Sequence, residues 1–319
     1  MRDRIVVVGS LNQDLVVNLH RAPDAGETVH GESIRAFFGG KGANQAYAAA
    51  RLGGRAVMVG QVGADAAGDA QVESLRSAGV DVGLVRRASG EATGTAVIAV
   101  DAAGQNRIVV IPGANGTFWP GLLDAGRADV AGAAAVLVQL EVPPETVARA
   151  VGLAREGGAR VILDPAPARP LPDAVLSSVD YLTPNLTELS RLAGGALPED
   201  AAEADVVRCA RTLCARGVRT VIAKLGPRGA VLVSADAWRA VPGFRVAAVD
   251  TTAAGDCFNG AFATALVSGA PEVEACRFAA AAAAVSVTRR GAQASMPTRD
   301  EVMGLLGCPG ALRGASGRP

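Results

Sequence analysis

Short apolar runs bounded by glycine alternate with Ala-rich helical segments along most of this chain. That alternation restricts the fold more than any other feature. Arg4 to Val8, Ala56 to Val62, Ala134 to Leu140, Arg160 to Leu163, Tyr181 to Thr183 and Thr220 to Leu225 read as buried strands, since their apolar runs are too short for helices. Between them Phe37-Phe38-Gly39-Gly40-Lys41-Gly42-Ala43-Asn44 opens a helix that runs through Arg51. Others span Ala67 to Ser77, begin near Pro143-Pro144, and cover roughly Ala202 to Arg216. Gly53-Gly54 and Gly79 act as stops, and proline is tolerated in a first helical turn. Two long Ala-rich helices and a short one close the pattern. Strands and helices in alternation predict an α/β fold with a mostly parallel sheet covered on both faces.

Two stretches, about 12–36 and 93–111, break the rhythm. In the first, Leu15 to Leu19 and Thr28 to Ile34 read as strands joined by the Pro23-Asp24-Ala25-Gly26 turn. In the second, Thr95 to Val100 and Arg107 to Ile111 read as a hairpin around Ala102-Ala103-Gly104-Gln105. Neither has enough residues for its own core, so together they are expected to form one small β-sheet capping the main domain. No repeat or linker divides the chain. A single domain is expected over 1–307, with a Gly-, Ser- and Pro-containing tail, 308–319, expected to be disordered.

Composition narrows the function. The 319 residues carry no formal net charge and no basic or acidic run, which argues against nucleic acid and anionic membrane surfaces as partners. The longest uncharged stretch, Cys257 to Pro271, is too short and too interrupted to span a bilayer. The N-terminus enters a five-residue strand without the longer apolar core of a signal peptide. Five cysteines without C-x-x-C spacing are expected to be reduced thiols in a cytoplasmic protein, and the sequons at Asn115 and Asn185 are then coincidental. With only His20 and His30, a His-rich zinc site is excluded and a Ser-His-Asp triad disfavoured. Lys41 and Lys224 are the only lysines among 31 basic residues, which marks them as places that need a compact ammonium.

The chemistry concentrates in Val249-Asp250-Thr251-Thr252-Ala253-Ala254-Gly255-Asp256-Cys257-Phe258-Asn259-Gly260. Phe244 to Val249 reads as a strand and Ala261 to Val267 as a helix, so the junction is a strand, a tight turn and a helix N-terminus. Backbone N–H groups there lack intrahelical partners, and the helix dipole makes that end positive. Ala253, Ala254 and Gly255 leave the backbone bare enough for an anion to approach. Asp256 beside such a cradle suits phosphoryl transfer, with the carboxylate taking a proton from an attacking hydroxyl. The alternative is a helix-capping Asp after a small-residue turn. Two familiar motifs are absent: no G-x-G-x-x-G follows the first strand, and Gly42 follows Lys41 where a Walker A loop requires Ser or Thr.

Five motifs then carry a resemblance. Gly9-Ser10-Leu11-Asn12-Gln13-Asp14, Gly39-Gly40-Lys41-Gly42-Ala43-Asn44-Gln45, Thr183-Pro184-Asn185-Leu186-Thr187-Glu188, Asp250 to Asp256 and Thr288-Arg289-Arg290-Gly291-Ala292-Gln293 stand in the order of the ribokinase family, sugar kinases of the PfkB-type superfamily. The match runs from about Ile5 to Leu306. It implies ATP-dependent phosphorylation of D-ribose at the 5-hydroxyl, a Rossmann-like domain with a β-sheet lid, and homodimers that pair through their lids. By motif match, Asn12, Asp14, Gly40, Lys41, Asn44 and Glu141 bind the sugar. Asn185 and Glu188 match the motif that arranges Mg²⁺, its waters and the phosphates, with ordinary helix capping as the plainer reading of the pair. Lys224-Leu225-Gly226-Pro227-Arg228-Gly229 matches a nucleotide-binding loop. Asp250, Thr252, Ser286, Arg289, Gly291 and Ser295 match positions that hold a monovalent cation such as K⁺, largely through carbonyls.

Each position also has a plainer reading: a turn pair for Asn12 and Asp14, a helix N-terminal carboxylate for Glu141, a flexible loop with a solvated Lys41, and a solvent-facing strand end for Lys224. Three departures stand out. Lys224 replaces a common Thr, Ala280 replaces a His found near the adenine in some members, and Cys257 replaces a common Thr. A thiol at a helix N-terminus is a candidate for reactivity, with an inert packing residue as the alternative. The rival functions are a related kinase acting on deoxyribose, fructose or a nucleoside such as adenosine, and a non-catalytic sugar- or nucleotide-binding regulator on the same fold.

Overall fold

Ile5, Val6, Val7 and Val8 are all fully buried, yet they belong to two separate cores, Ile5 and Val7 to one and Val6 and Val8 to the other. Strand side chains alternate between faces, so the first strand must be covered on both sides. A computed structural model describes residues 2–307 and shows how. Thirteen strands follow in chain order: β1 (Arg4–Val8), β2 (Asn12–Leu19), β3 (Gly31–Gly39), β4 (Arg55–Gly63), β5 (Asp81–Ala88), β6 (Gly94–Val100), β7 (Asn106–Ile111), β8 (Ala135–Gln139), β9 (Arg160–Asp164), β10 (Tyr181–Leu182), β11 (Thr220–Lys224), β12 (Gly229–Val233) and β13 (Trp238–Pro242). The helices are α1 (Lys41–Arg51), α2 (Ala66–Ser77), α3 (Arg127–Gly132), α4 (Pro144–Gly157), α5 (Asp173–Leu176), α6 (Leu186–Ala193), α7 (Glu203–Ala215), α8 (Ala254–Val267), α9 (Glu272–Ser286) and α10 (Arg299–Gly307).

Nine strands form one sheet in the order β13-β12-β11-β10-β9-β8-β1-β4-β5. From β5 to β11 all neighbours are parallel, and β12 runs antiparallel to both β11 and β13. This is the mostly parallel sheet that the alternation predicts, Rossmann-like as the resemblance implies. Residues of α1, α2, α8, α9 and α10 build the core on one face, and those of α3 to α7 build the other. The chain leaves β1 toward β4 on one side, and β8 returns to its other side. The sheet therefore has a switch point between β1 and β8, and a crevice opens at the carboxyl ends of the two strands.

A second sheet of four strands, ordered β3-β2-β6-β7, joins the two interrupting stretches. Its central pair, β2 and β6, is parallel from Asn12↔Gly94 to Asn18↔Val100. Strand β7 is exposed along its whole length, Ile108, Val109, Val110 and Ile111 included, and Ile34 of β3 is exposed as well.

Several boundaries depart from the sequence reading. The second strand of the first interrupting stretch is Gly31–Gly39, not Thr28 to Ile34, because pairing to β2 carries it up to α1. Phe244 to Val249 is not a strand. Phe244 and Val246 satisfy its apolar alternation by packing on the α8–α9 core, while Val249 and Asp250 donate their N–H groups to the Val287 carbonyl at 2.7 and 3.1 Å. Strands β5, β12 and β13 and helices α3 and α5 lie outside the sequence reading, while α6 is the helix that capping by Asn185 and Glu188 implies. The tail expected to be disordered lies outside the described residues.

Helix α1 rests directly on the backbone that leaves β1. A Cβ on Gly42 would stand 2.7 Å from the Gly9 carbonyl carbon and from the Ser10 nitrogen. Gly42→Ala is therefore expected to cost about 1–3 kcal/mol through overpacking. Urea titration should show a lower midpoint at unchanged slope. An unchanged midpoint would show that α1 can lift from β1 without penalty.

Candidate active site

At the switch point, the Ser10 hydroxyl donates to Glu141 Oε2 at 2.5 Å, and the Lys41 N–H donates to the same oxygen at 3.1 Å. Glu141 thus caps α1 from across the crevice, where the dipole favours a carboxylate. Gly40 precedes α1 at φ 86°, and a Cβ there would lie 2.6 Å from the Asn12 nitrogen. Only glycine lets β2 begin so close to α1. Asn12 is held in turn by Asn115, whose Nδ2 donates to Asn12 Oδ1 at 2.7 Å and whose Oδ1 accepts from the Leu11 N–H at 2.9 Å. The buried Asn115, read from sequence only as a coincidental sequon, is therefore a clamp on the turn into β2. Asp14 lies against Gly39, which has no side chain to block it. Burial, reinforced by the charges of Glu141 and Asp256 and opposed by Lys41, pushes its carboxyl up to about 6.

Asp256 is the third residue of α8 and 5 % exposed. Asn44 Nδ2 donates to its Oδ2 and Gln45 Nε2 to its Oδ1, both at 3.0 Å. Burial raises its pKa, while Lys41 and the two amides work against that shift. Lys41 is itself half-buried, and the desolvation disfavours its charge. The carboxylates of Asp256, Asp164, Glu141 and Glu188 outweigh that cost and hold its ammonium above the usual lysine range. The turn before α8 is strained: Ala253 caps it at φ 57°, a left-handed conformation uncommon for alanine. The Ala254 N–H is taken by the Thr251 carbonyl at 3.2 Å, but those of Ala253, Gly255 and Asp256 meet no acceptor among the described residues. The bare cradle read from sequence is present, with Ala254 withdrawn from it.

Gln45, Gln139 and Asp164 were missed by sequence reasoning. Gln45 Nε2 also donates to Asp164 Oδ2 at 3.0 Å, and Gln139 Nε2 donates to Gln45 Oε1 at 2.7 Å. Lys224 Nζ donates to Asp164 Oδ1 at 3.1 Å, so Lys224 is not a solvent-facing strand end. The only available signals were that Gln45 extends a motif and that Asp164 ends a strand at the sheet's carboxyl edge.

Beyond Lys224 lies a cavity of about 660 Å³. Ala280, Ala283, Ala284, Val287 and Phe258 form an apolar wall, and Gly226, Pro227, Gly229 and Gly243 form a rim. Of the predicted loop, Leu225 and Arg228 do not line it. Leu225 is buried in the core on the opposite face, and the Arg228 guanidinium donates to the Ala201 and Glu199 carbonyls at 2.7 and 3.0 Å. Ala280 lies in this wall.

Asn185 and Glu188 form a complete capping box on α6. Each accepts the other's backbone N–H at 2.8 Å. Burial raises the Glu188 pKa, against the pull of Lys224. The pair adjoins Lys224 through a β-bridge. Among the described residues no group of three or more His, Cys, Asp or Glu side chains is placed to hold a metal ion.

At the other end of the turn, Asp250 accepts from the Gly291 N–H at 2.8 Å and from the Thr252 N–H and hydroxyl at 2.9 and 2.6 Å. These bonds overcome burial and hold its carboxyl below the usual range. The carbonyls of Thr252, Arg289 and Gly291 accept no hydrogen bond from a described residue. The side chains of Ser286, Ser295 and Arg289 face elsewhere, toward the Ala283 carbonyl, the Ala292 carbonyl and Glu301.

Cys257 corrects the idea of a reactive thiol. It is fully buried behind the first turn of α8, and burial pushes its thiol up to about 12. Iodoacetamide is expected to leave Cys257 of the folded protein unmodified by mass spectrometry at pH 8. Stoichiometric labelling with retained fold would overturn this.

The profile of the pfkB family carbohydrate kinases matches residues 2–299. The chain is 40 % identical over 306 residues to a ribokinase of Haemophilus influenzae, covering 96 % of this chain and 99 % of the relative. It is 37 % identical over 298 residues to a deoxyribokinase of Salmonella typhi, covering 93 % and 96 % respectively. The structure of Arabidopsis thaliana ribokinase complexed with ribose and ATP superposes with a TM-score of 0.90 at 39 % identity, covering 96 % of this chain and 99 % of that one.

Proposed function

Because the chain belongs to the pfkB family of carbohydrate kinases, we propose that it transfers the γ-phosphoryl group of ATP to the 5-hydroxyl of D-ribose, giving D-ribose 5-phosphate and ADP. The observation that carries this reading is the buried Asp256 carboxylate, fixed by two amides, beside the unpaired N–H groups of Gly255 and itself at the head of an apolar cleft.

The sugar sits in the crevice between β1, β8 and the start of the lid. Asn12, Asp14, Gly40, Lys41, Asn44 and Glu141 surround it there. A pocket built of buried polar groups rejects acceptors that leave them unpaired. Adenine lies against Ala280, Ala283 and Ala284, with the phosphates running past Lys224 and Gly226 to the turn at Ala253 to Asp256. Asp256 accepts the proton of the 5-hydroxyl as that oxygen attacks. The free N–H groups and Lys41 stabilise charge on the moving phosphoryl group. The lid excludes water that would otherwise be phosphorylated.

Asn185 and Glu188 fit a cation that keeps its water shell, because their side chains already cap α6 and are not free ligands. Mg²⁺ bound to the phosphates supplies charge neutralisation. The unpaired carbonyls of Thr252, Arg289 and Gly291, together with Asp250, fit a monovalent cation such as K⁺ that steadies the turn. The exposed apolar lid, Ile34 and Ile108 to Ile111, fits a homodimer in which a second copy covers it. No described helix is long and apolar enough to cross a membrane, and the four described cysteines are unpaired.

Deoxyribose is the second reading, favoured by the 37 % identical deoxyribokinase. The test is ADP release with Mg-ATP and ribose, deoxyribose, fructose or adenosine, in potassium and again in sodium. Highest turnover on ribose, enhanced by potassium, supports both substrate and cation site. Highest turnover on deoxyribose moves the substrate and keeps the chemistry. No turnover on any acceptor, despite stabilisation by ribose or ATP, points to a regulator.

A further inference from the structure

Lys224 and Asp164 form an ion pair inside the site, their side chains 13 % and 3 % exposed. Buried pairs of this kind carry a desolvation cost that often cancels their attraction. This one stands where a second use is available. A Cβ on Gly255 would lie 3.3 Å from Lys224 Nζ, so the ammonium borders the open first turn of α8. The unpaired Gly255 and Asp256 N–H groups and the Lys224 charge thus converge on the head of the apolar cleft, which both Lys224 and Gly255 line. Asp164 does not depend on Lys224 alone. Its Oδ2 accepts from Gln45, and the same Gln45 nitrogen donates to Asp256. A lysine stem can swing its ammonium between neighbouring acceptors without losing charge.

Resting on the ATP-dependent reading above, we propose that Lys224 exchanges Asp164 for the phosphates of the bound nucleotide. Asp164 is the positioning residue that holds the ammonium at the head of the cleft beforehand, and through Gln45 it ties the exchange to the orientation of Asp256. The exchange makes the site sensitive to phosphate, not to adenosine. Asp164 competes with the nucleotide for Lys224 and at the same time supports the base. Removing it should therefore strengthen nucleotide binding and weaken catalysis, opposite movements that general damage to the fold would not produce.

Titration calorimetry with adenosine, ADP and a non-hydrolysable imido analogue of ATP tests this on the parent, Lys224→Met, Asp164→Asn and the double variant Lys224→Thr/Asp164→Asn. The double variant leaves no unpaired buried charge, so it guards against loss of folding in the single ones. Lys224→Met and the double variant are expected to bind ADP and the analogue about 10–100-fold more weakly, the worth of a charge-assisted contact. Adenosine affinity should change less than about twofold on the same scale. Asp164→Asn should tighten ADP binding while kcat falls. Equal losses for adenosine and ADP would overturn the exchange. Weaker ADP binding in Asp164→Asn would overturn the competition. A parent protein that binds neither ADP nor the analogue would instead sink the ATP-dependent reading, and the exchange with it.

Discussion

Asp256→Asn is expected to lower kcat by about 10²–10⁴-fold, the range for loss of a positioned general base, with ribose affinity within a few-fold of the parent. The substitution is nearly isosteric, and the site can satisfy it. Asn44 Oδ1 is buried without a partner, so the Asn44 amide can turn and accept from the new side-chain nitrogen. Lost turnover would then report the missing proton acceptor and not a collapsed pocket. Burial holds the Asp256 pKa above the ordinary carboxylate range. In the parent, kcat should therefore fall on the acid side at a higher pH than an exposed carboxylate would dictate.

The same shift fixes the sign for stability. A group whose pKa is raised by folding favours the fold below its unfolded pKa, and that contribution is lost as pH rises through the folded value. At neutral pH the ionised Asp256 therefore opposes folding. Asp256→Asn should denature at higher urea than the parent at pH 7, with the difference closing in acid. Near-normal turnover would remove Asp256 as the base, and lower stability at pH 7 would remove the electrostatic account.

Lys41→Met should be the most damaging single change outside Asp256. The ammonium faces Asp256, Asp164, Glu141 and Glu188 without forming an ion pair to a described residue, so its charge acts on all four and remains free for a ligand. Loss of a charge clamp on the moving phosphoryl group is expected to lower kcat by about 10²–10³-fold. The fold should also weaken by about 1–3 kcal/mol at pH 7, the cost of leaving buried polar groups uncompensated. Lys41 opposes protonation of Asp14, Glu188 and Asp256. Without it their pKa values rise further, and the deficit should grow as pH increases and fade as pH falls. Urea titrations across pH 5 to 8 on both proteins would check this, and a pH-independent difference would contradict it.

The elements legible in the sequence are those whose local pattern agrees with their environment. Strand β1 is four buried aliphatic residues ended by Gly9-Ser10, and β8, β9 and β11 repeat that pattern. Strands β12 and β13 were missed because Gly229 to Pro242 begins inside the Lys224 to Gly229 loop and β13 is an exposed edge, with only Val241 buried. Phe244 to Val249 misled for the opposite reason: its alternation is real, but the partner is a helix surface, not a strand. Within the site, Asp256, Asn44, Glu141 and Lys41 announced themselves by motif. Asp164, Gln139 and Asn115 did not, because each acts only through a contact across the chain, with Gln45, Lys224 or Leu11, that no local spacing encodes.

Strand β2 begins with Asn12 and Asp14 and continues as the centre of the lid, hydrogen-bonded in register to β6 and β3. On the proposed function, in which Asn12 and Asp14 bind the sugar and this sheet closes over it, recognition and closure share one hydrogen-bonded ladder and cannot vary independently. Whatever steadies the outer strands must favour the sugar, and by thermodynamic reciprocity the sugar must favour whatever steadies them, by the same factor. With the proposed pairing of a second copy on the exposed Ile108 to Ile111, acceptor affinity becomes a function of protein concentration. Dilution should weaken binding of the acceptor, and the acceptor should in turn promote self-association.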